Sequence, residues 1–237
     1  MTTPVIELTG VSTDYRGLRP LRIHELRVYD RERVAIVGLD QPMAEVFVNL
    51  ATGAALPDSG DVKVFGRPTS AIGDSAEWLA LVDRFGIVTN RAVLLDSLSV
   101  LQNLAVPFTL EIEPPPDNVA ARAADLAREV GLPESECMKP VAALNALARA
   151  RVRLGRALAL DPSVVLLEHP TADVDPSDAA ALGNLIRSVA GSRRAAVLAV
   201  TIDQTFATAV AERVLILDAA TGRLSEPRRR WFGFERR

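Results

Sequence analysis

The chain has 237 residues, a formal net charge of -3 and 49% hydrophobic residues, which suits one large α/β domain with a small inserted subdomain. Its charge gives no indication of nucleic-acid binding, and the single cysteine, Cys137, excludes a disulfide framework and fits a reducing compartment. No apolar run reaches the ~18 residues of a membrane span, and the N-terminus, MTTPVIELTG, lacks the features of a signal peptide, so we expect a soluble, cytoplasmic protein.

Residues 34–53, VAIVGLDQPMAEVFVNLATG, are the most informative stretch of the sequence. They open with a β-branched apolar run that predicts a buried strand. Gly38 breaks that run, and Pro42 suits the first turn of a helix, where a missing N–H costs little. Apolar residues then recur at helical spacing, at Met43, Val46, Phe47 and Leu50. A strand, a glycine turn and a helix in this order are the frame of a phosphate-binding loop.

The chemistry of such a loop is missing from this frame. A G-x-x-x-x-G-K-[ST] loop needs a second glycine, a lysine for the terminal phosphates and a hydroxyl for Mg²⁺. These three positions hold Met43, Ala44 and Glu45. Asp40 and Glu45 place negative charge where a polyphosphate would lie, and like charges at close range repel by about 4 kcal/mol at a surface-like dielectric. Since no cation in the loop offsets that charge, we expect the unit to hold no triphosphate and to be kept for packing.

The rest of the chain alternates strand and helix patterns. Strands are predicted over residues 5–8, Leu21–Val28, 62–65, Phe85–Thr89, 164–167, 195–200 and 214–217. Helices are predicted over residues 98–104, 119–130, 144–159, 178–190 and 206–211. This alternation indicates a largely parallel sheet covered on both faces. The run EPPPD at residues 113–117 is the best boundary in the chain.

Several of these segments together resemble the ATP-binding subunit of ABC transporters, from residue 5 to about residue 224. The strongest match is residues 151–175, RVRLGRALALDPSVVLLEHPTADVD, which is similar to the family's stretch from the helix after the signature through the Walker B strand to the D-loop. Residues 50–60 and 97–104 resemble the segments after the Walker A helix and after the Q-loop. The resemblance implies the P-loop NTPase-like fold of that subunit: α/β, with a mainly parallel core sheet, an N-terminal antiparallel β portion and a helical subdomain at about residues 90–143.

Four catalytic positions of the family carry other residues here. Asn90 stands in place of the Q-loop glutamine that reaches Mg²⁺ and the attacking water. Glu168 takes the place of the Walker B aspartate, and His169 that of the glutamate that polarises water. Ile202 replaces the switch histidine. His169 could act as a base near pH 7, but only beside a bound triphosphate; the alternative is a structural histidine after a strand.

Other family positions are matched unevenly. Tyr15 matches the aromatic residue that stacks on adenine, with a packing role as the alternative, and Asp175 matches the D-loop aspartate. Gly38 is the only glycine left at the Walker A positions. The signature LSGGQ corresponds to Leu144, Asn145, Ala146, Leu147 and Ala148. This segment therefore lacks the hydroxyl and the two glycines that allow the backbone to approach the γ-phosphate of the opposite subunit.

These replacements predict a subunit without ATPase activity. Phosphoryl transfer depends on positioning and on electrostatic stabilisation of the transferring group, and the groups that supply both are replaced together. We expect no catalytic residue, no metal site and no cofactor, although the family uses ATP and Mg²⁺. The expected role is a structural or regulatory partner of a permease subunit or of another ATP-binding subunit, in a homodimer or a heterodimer. The alternative is an unorthodox ATP-binding protein or ATPase that uses Tyr15, Glu168 and His169.

Residues 226–237 form a basic, aromatic tail after a domain of residues 1–225. From Arg228 to Arg237 it reads RRRWFGFERR, with five arginines and one glutamate. Arginine with tryptophan and phenylalanine suits an anionic membrane surface or an acidic partner groove; a solvated terminus is the alternative. Contact with a permease would place the protein at the inner face of the membrane.

Overall fold

The computed structural model describes residues 3–227 as two sheets with helices packed around the larger one. The smaller sheet is antiparallel and has the strand order β2-β1-β4-β5. Its strands are β1 (Ile6–Thr13), β2 (Leu21–Val28), β4 (Ser59–Val64) and β5 (Arg67–Pro68). This sheet is the antiparallel β portion that the resemblance implies.

The larger sheet has six strands in the order β10-β9-β3-β8-β7-β6. Its strands are β3 (Arg33–Val37), β6 (Phe85–Thr89), β7 (Val164–Glu168), β8 (Ala196–Thr201), β9 (Arg213–Asp218) and β10 (Arg223–Ser225). All pairs are parallel except the antiparallel pair of β9 and β10. The strands at Val34 and Val164 lie in this one sheet, and the prediction of a largely parallel sheet is confirmed.

Eight α-helices complete the part of the chain that the structure describes. They are α1 (Gln41–Ala51), α2 (Ser75–Val82), α3 (Val100–Ala105), α4 (Asp117–Glu129), α5 (Glu134–Cys137), α6 (Ala146–Leu158), α7 (Ala179–Arg193) and α8 (Gln204–Val210). Between β6 and β7 the chain adds no strand to either sheet and carries four of these helices.

Two apolar clusters pack against opposite faces of the larger sheet. Successive residues of β3 alternate between them, since side chains on a strand point to opposite faces. Ala35 belongs to the cluster that contains the helices between β6 and β7, and Ile36 belongs to the cluster that contains α1 and the smaller sheet. Both faces are therefore covered, as the nearly continuous apolar strands predict.

The sequence pattern missed α2. All of its residues are at least partly exposed, so it carries no clear apolar stripe. Its start is marked by Asp74, whose carboxylate accepts a hydrogen bond from the N–H of Glu77 at 2.9 Å, and Trp78 anchors it by donating from Nε1 to the carbonyl of Thr52 at 3.2 Å. Because α2 is held by a cap and by one hydrogen bond from Trp78 rather than by a buried apolar face, its sequence shows little helical periodicity.

No helix among residues 3–227 is long and apolar enough to cross a membrane. The predicted tail from Arg228 to Arg237 lies outside the described residues.

Candidate functional site

The candidate site lies at the carboxyl edge of the parallel sheet, where open α/β sheets place their ligand crevices. The register aligns the strand ends: Val37 pairs with Thr201, and Glu168 pairs with Thr89. The turn after β3 depends on Gly38, which has a φ of 109°. A Cβ at this position would lie 3.3 Å from the carbonyl oxygen of Leu217, so the tight turn from strand to helix needs glycine.

The N-terminus of α1 is closed by its own residues. The Asp40 carboxylate accepts a hydrogen bond from the N–H of Met43 at 2.9 Å, and its carbonyl accepts one from the N–H of Ala44 at 2.9 Å. Pro42 has no N–H to donate. The residues from Gln41 onward are helical, so only three residues, 38–40, remain between β3 and α1. The N–H groups of Met43 and Ala44 are thus engaged with Asp40.

Glu168 ends β7 as a fully buried carboxylate. It accepts a hydrogen bond at Oε1 from Nε2 of Gln41, at 2.6 Å. Arg91 donates to the same carboxylate twice, from Nε to Oε1 at 3.1 Å and from Nη2 to Oε2 at 2.6 Å. A buried charge needs such partners, because its transfer from water without them is very unfavourable. Glu168 therefore accepts three hydrogen bonds from groups of two other segments of the chain.

Arg91 also reaches the first helix of the site. Its Nη1 lies 2.6 Å from Oε1 of Glu45, so one guanidinium bridges the carboxylates of α1 and β7. The hydrogen bond to Glu168 raises the pKa of Arg91. The sequence predicts negative charge at residues 38–45, with no cation among them to offset it. These residues include no cation, but Arg91, from the segment after β6, lies against the carboxylate of Glu45. Sequence reasoning missed Arg91, although it directly follows the family position Asn90 at the same sheet edge.

His169 adjoins this cluster. It is buried, has a φ of 42°, and its backbone N–H donates to the carbonyl of Val200 at 3.0 Å. Its Nε2 is buried and has no hydrogen-bond partner within residues 3–227. His169 lines a cleft of about 380 Å³ together with Asp40, Gln41 and Ile202. The structure thus brings three of the candidate positions, Asp40, His169 and Ile202, to one cleft.

Tyr15 lies near the same turn. Burial raises the pKa of its hydroxyl, and the negative charge of Asp40 raises it further. Its ring folds over Gly17, where an added Cβ would lie 2.5 Å from the ring. The side chain is half-buried and packs against the apolar cluster around α1. Both of the roles predicted for Tyr15, packing and contact with a ligand, remain compatible with this position.

The residues at the signature and D-loop positions make local contacts. The Asn145 side chain accepts a hydrogen bond from the N–H of Ala148 at 2.8 Å and so caps α6. Leu147 is half-buried and packs against the core. Asp175 is exposed and accepts from Ser177 Oγ at 2.6 Å and from its N–H at 2.8 Å, which lowers the pKa of the aspartate. Asn145 and Asp175 thus act in the structure as caps of the segments that follow them.

Comparison with known proteins identifies proteins of similar sequence. No family model matches the chain. It is 33% identical over 202 residues to the lipoprotein-releasing system ATP-binding protein LolD of Pseudomonas syringae pv. tomato, a match that covers 85% of this chain and 87% of that protein. It is 29% identical over 209 residues to the methionine import ATP-binding protein MetN of Mesorhizobium japonicum, with 88% of this chain and 56% of that protein covered.

Two solved structures show the same fold. The dimeric post-hydrolysis ATP-binding cassette MJ0796, bound to ADP and Pi, superposes with a TM-score of 0.74 at 22% identity, over 93% of this chain and 98% of that one. CbiO1 of Clostridium perfringens, part of the ABC transporter complex cbiONQ, gives a TM-score of 0.76 at 21% identity, over 94% and 87%. The fold expected from the sequence is therefore confirmed.

Proposed function

Because this chain belongs to the family of ABC transporter ATP-binding proteins, we propose that it is a non-hydrolysing subunit of a transport complex. Members of this family use ATP and Mg²⁺. In this proposal the chain keeps the fold of the family and serves as a structural or regulatory partner of a permease subunit or of a second ATP-binding subunit. It does so as one cassette of residues 1–225 that neither binds nor turns over ATP.

The observation that carries the proposal is the position of the Arg91 guanidinium. A triphosphate with Mg²⁺ needs a free carboxylate for the metal, a cation for the terminal phosphates and unengaged N–H groups. Here Arg91 bonds both Glu45 and Glu168, and the N–H of Met43 donates to Asp40. These residues do not fit ATP and Mg²⁺, because one guanidinium already occupies both carboxylates and the N–H of Met43 is engaged with Asp40.

The residues at the remaining family positions support the same conclusion. Ala44 offers no cation for phosphate, and Leu147 places a branched side chain at a position of the signature that needs glycine. In the family each nucleotide lies between the Walker A of one subunit and the signature of the other. A dimer of this chain, with itself or with an intact subunit, would therefore have at least one incomplete half in each site.

A cleft lined by β6, the segment after it and α6, here called the partner cleft, supports the proposed partner. It has a volume of about 370 Å³, and its lining is mainly apolar, with Phe85, Leu94, Arg153 and Arg156 among its residues. Burial lowers the pKa of both arginines, and Nε of Arg153 has no partner within residues 3–227. A partner segment with an apolar face and a carboxylate would satisfy these cations. We assign this cleft to a cytoplasmic segment of a permease, with the basic tail of residues 226–237 adding attraction to an anionic membrane.

Ligand stabilisation tests the nucleotide half of the proposal. ATP–Mg²⁺ at 100 times its Kd would stabilise a binding protein by about 2.7 kcal/mol. We expect no shift of the unfolding temperature at millimolar ATP–Mg²⁺ and no phosphate release, while LolD, treated in parallel, should show both. A shift for this chain under the same conditions would contradict the proposal.

Co-purification tests the partner half. If a permease gene adjoins the gene of this chain, its product should be retained by the tagged protein and lost when Arg153 is changed to glutamate. Arg128→Glu is the matched control, since Arg128 is exposed and, within residues 3–227, its ion pair is with Asp125 of its own helix. Equal retention by all three proteins would show that the cleft is not the docking site.

One observation favours the alternative of an unorthodox ATPase. Nε2 of His169 is buried without a partner in the described part of the chain and lies beside the cleft that contains Asp40. An imidazole so placed could take a proton if a ligand entered. If the unmodified protein releases phosphate from ATP and His169→Ala abolishes that activity, the alternative is correct. We expect no release from either protein.

A further inference from the structure

We propose that Arg91 acts as a latch. This built-in cation fixes the loop of residues 90–99, here called the latch loop, to the edge of the larger sheet. It thereby sets the shape of the partner cleft without a bound nucleotide. The latch concerns the same site and rests on the function proposed above. It adds a role for a residue that no family position predicts.

The first step is the anchor at the sheet edge. Arg91 binds Glu168 through two parallel N–H···O bonds, and Glu168 is 0% exposed, whereas Arg91 is 43% exposed. Bidentate arginine–carboxylate pairs are strong and restrict the orientation of both groups. The buried carboxylate has few other ways to be neutralised. The guanidinium therefore ties the start of the latch loop to β7, and through Glu45 to α1.

The second step is the fastening of the same loop to the helices. Nη1 of Arg156, on α6, donates to the carbonyl of Val93 at 2.6 Å. Asn103, on α3, is fully buried; its Oδ1 accepts from the N–H of Leu95 at 2.8 Å, and its Nδ2 donates to the carbonyl of Leu95 at 3.0 Å. The latch loop is therefore bonded to the sheet edge through Arg91 and to two helices through Val93 and Leu95.

The third step connects the latch to the cleft. Ala92 directly follows Arg91 and Leu94 lies three residues after it, and both line the partner cleft of about 370 Å³ beside Arg156. A change in the position of Arg91 would move both side chains, because the loop between the two fastenings is short. The ion pair between Arg91 and Glu168 thus fixes the cleft wall that Ala92 and Leu94 form. No bound nucleotide is needed to hold this wall in position.

Hydrogen exchange of the full-length protein tests the latch. In Arg91→Ala, we expect exchange at the hydrogen-bonded amides of residues 91, 92 and 95 to accelerate by about tenfold or more, equivalent to about 1.4 kcal/mol of local opening. Arg149→Ala is the matched control: Arg149 pairs with Asp96 of the same loop at 3.1 Å and is no partner of Glu168. Exchange in the control should stay within about twofold of the unmodified protein, since such a partly exposed pair contributes little. Equal exchange in Arg91→Ala and Arg149→Ala overturns the latch.

A double variant keeps the test decisive if Arg91→Ala folds poorly. Arg91→Met leaves Glu168 charged without its cation, whereas adding Glu168→Gln removes that charge. We expect Arg91→Met with Glu168→Gln to melt above Arg91→Met alone by at least about 2–4 °C, the shift of 1 kcal/mol for a chain of this size. If the loss of stability in the double variant equals the sum of the losses in Arg91→Met and in Glu168→Gln alone, the two side chains are not coupled. That result would overturn the latch.

The two proposals fail separately. ATP–Mg²⁺ binding by the unmodified protein overturns the proposed function, whatever the exchange data show. Unchanged loop exchange in Arg91→Ala overturns the latch and leaves the absence of nucleotide binding untouched.

Discussion

The inner face of helix α1 and its N-terminal end are stabilised by different kinds of interaction. On its inner face Phe47 and Leu50 are fully buried against the apolar cluster of the smaller sheet. At its N-terminal end Asp40 caps the helix, and Glu45 pairs with Arg91 from a distant segment. The face is stabilised by removal of apolar area from water, which many combinations of side chains can provide. The end depends on a few directional contacts between particular groups.

This difference explains how a fold can persist while the residues at its sheet edge vary. At 33% identity to LolD the chain keeps the order of strands and helices that the solved cassettes show. Carboxylates and a guanidinium at the sheet edge can be rearranged without disturbing the apolar face, because they contribute little to the burial of the core. Three single substitutions and one fourfold variant, from the largest expected effect to the smallest, test this separation.

Phe47→Ala should have the largest effect. Removing a fully buried ring leaves a cavity and should lower the free energy of unfolding by about 3–5 kcal/mol. Urea unfolding followed by circular dichroism measures the loss. Val46→Ala, at a half-buried position of the same helix, should cost less than half as much. A loss below about 1 kcal/mol for Phe47→Ala would show that the face is not well packed.

Asn145→Ala should have a moderate effect. It removes the side chain that caps α6 and should lower the free energy of unfolding by about 1 kcal/mol. Asn145→Ser should keep most of that stability, because serine caps equally well, and it also restores the serine of the family signature. Equal losses in both variants would assign Asn145 a contact other than the cap.

Glu45→Ala should have a small effect. Glu45 and Arg91 are both more than two-fifths exposed, and such pairs contribute about 0.2–1 kcal/mol, less at high salt. Unfolding in low and high salt measures the difference. The exposed pair of Arg67 and Glu77, at 2.7 Å, offers Glu77→Ala as the control of similar size. A loss above about 2 kcal/mol for Glu45→Ala would show that this contact, rather than Glu168, carries the latch.

Restoring the loop chemistry should give the smallest ligand-dependent change in free energy; the substitutions themselves cost stability, since Ala44 is fully buried. The variant with Pro42→Ser, Met43→Gly, Ala44→Lys and Glu45→Ser returns the glycine, the cation and the hydroxyl to a helix N-terminus that already faces the edge. At an ATP concentration equal to its Kd, binding would stabilise this variant by only about 0.4 kcal/mol, so calorimetry is the measurement. We expect ATP to bind and turnover to stay at background, because Asn145, Leu147, His169 and Ile202 are unchanged.

Addition of Arg91→Gln to that variant sharpens the comparison. Glu168 would then be free of its guanidinium, so Mg²⁺ should strengthen ATP binding in this protein and not in the fourfold variant. Absence of ATP binding in both folded proteins would mean that the backbone of the turn has diverged as well as its side chains.

The apolar pattern predicted most of the fold. Leu21–Val28 and Phe85–Thr89 have the predicted boundaries, and the helix expected from Met43, Val46, Phe47 and Leu50 is α1. These elements could be predicted because burial imposes a period of two or 3.6 residues along the sequence. The short edge strand β10 was missed together with α2, because three residues with one half-buried side chain show no period.

The sequence by itself determined the fold and the family, since both depend on which residue types follow one another along the chain. Only the tertiary structure showed that Arg91 lies between Glu45 and Glu168, and that Gln41 donates to the same buried carboxylate. Those partners are far apart in sequence and carry no periodic signal. They meet because β3, β6 and β7 are parallel and end at the same edge, so the charge balance of the site is set by strand order rather than by neighbours in the chain.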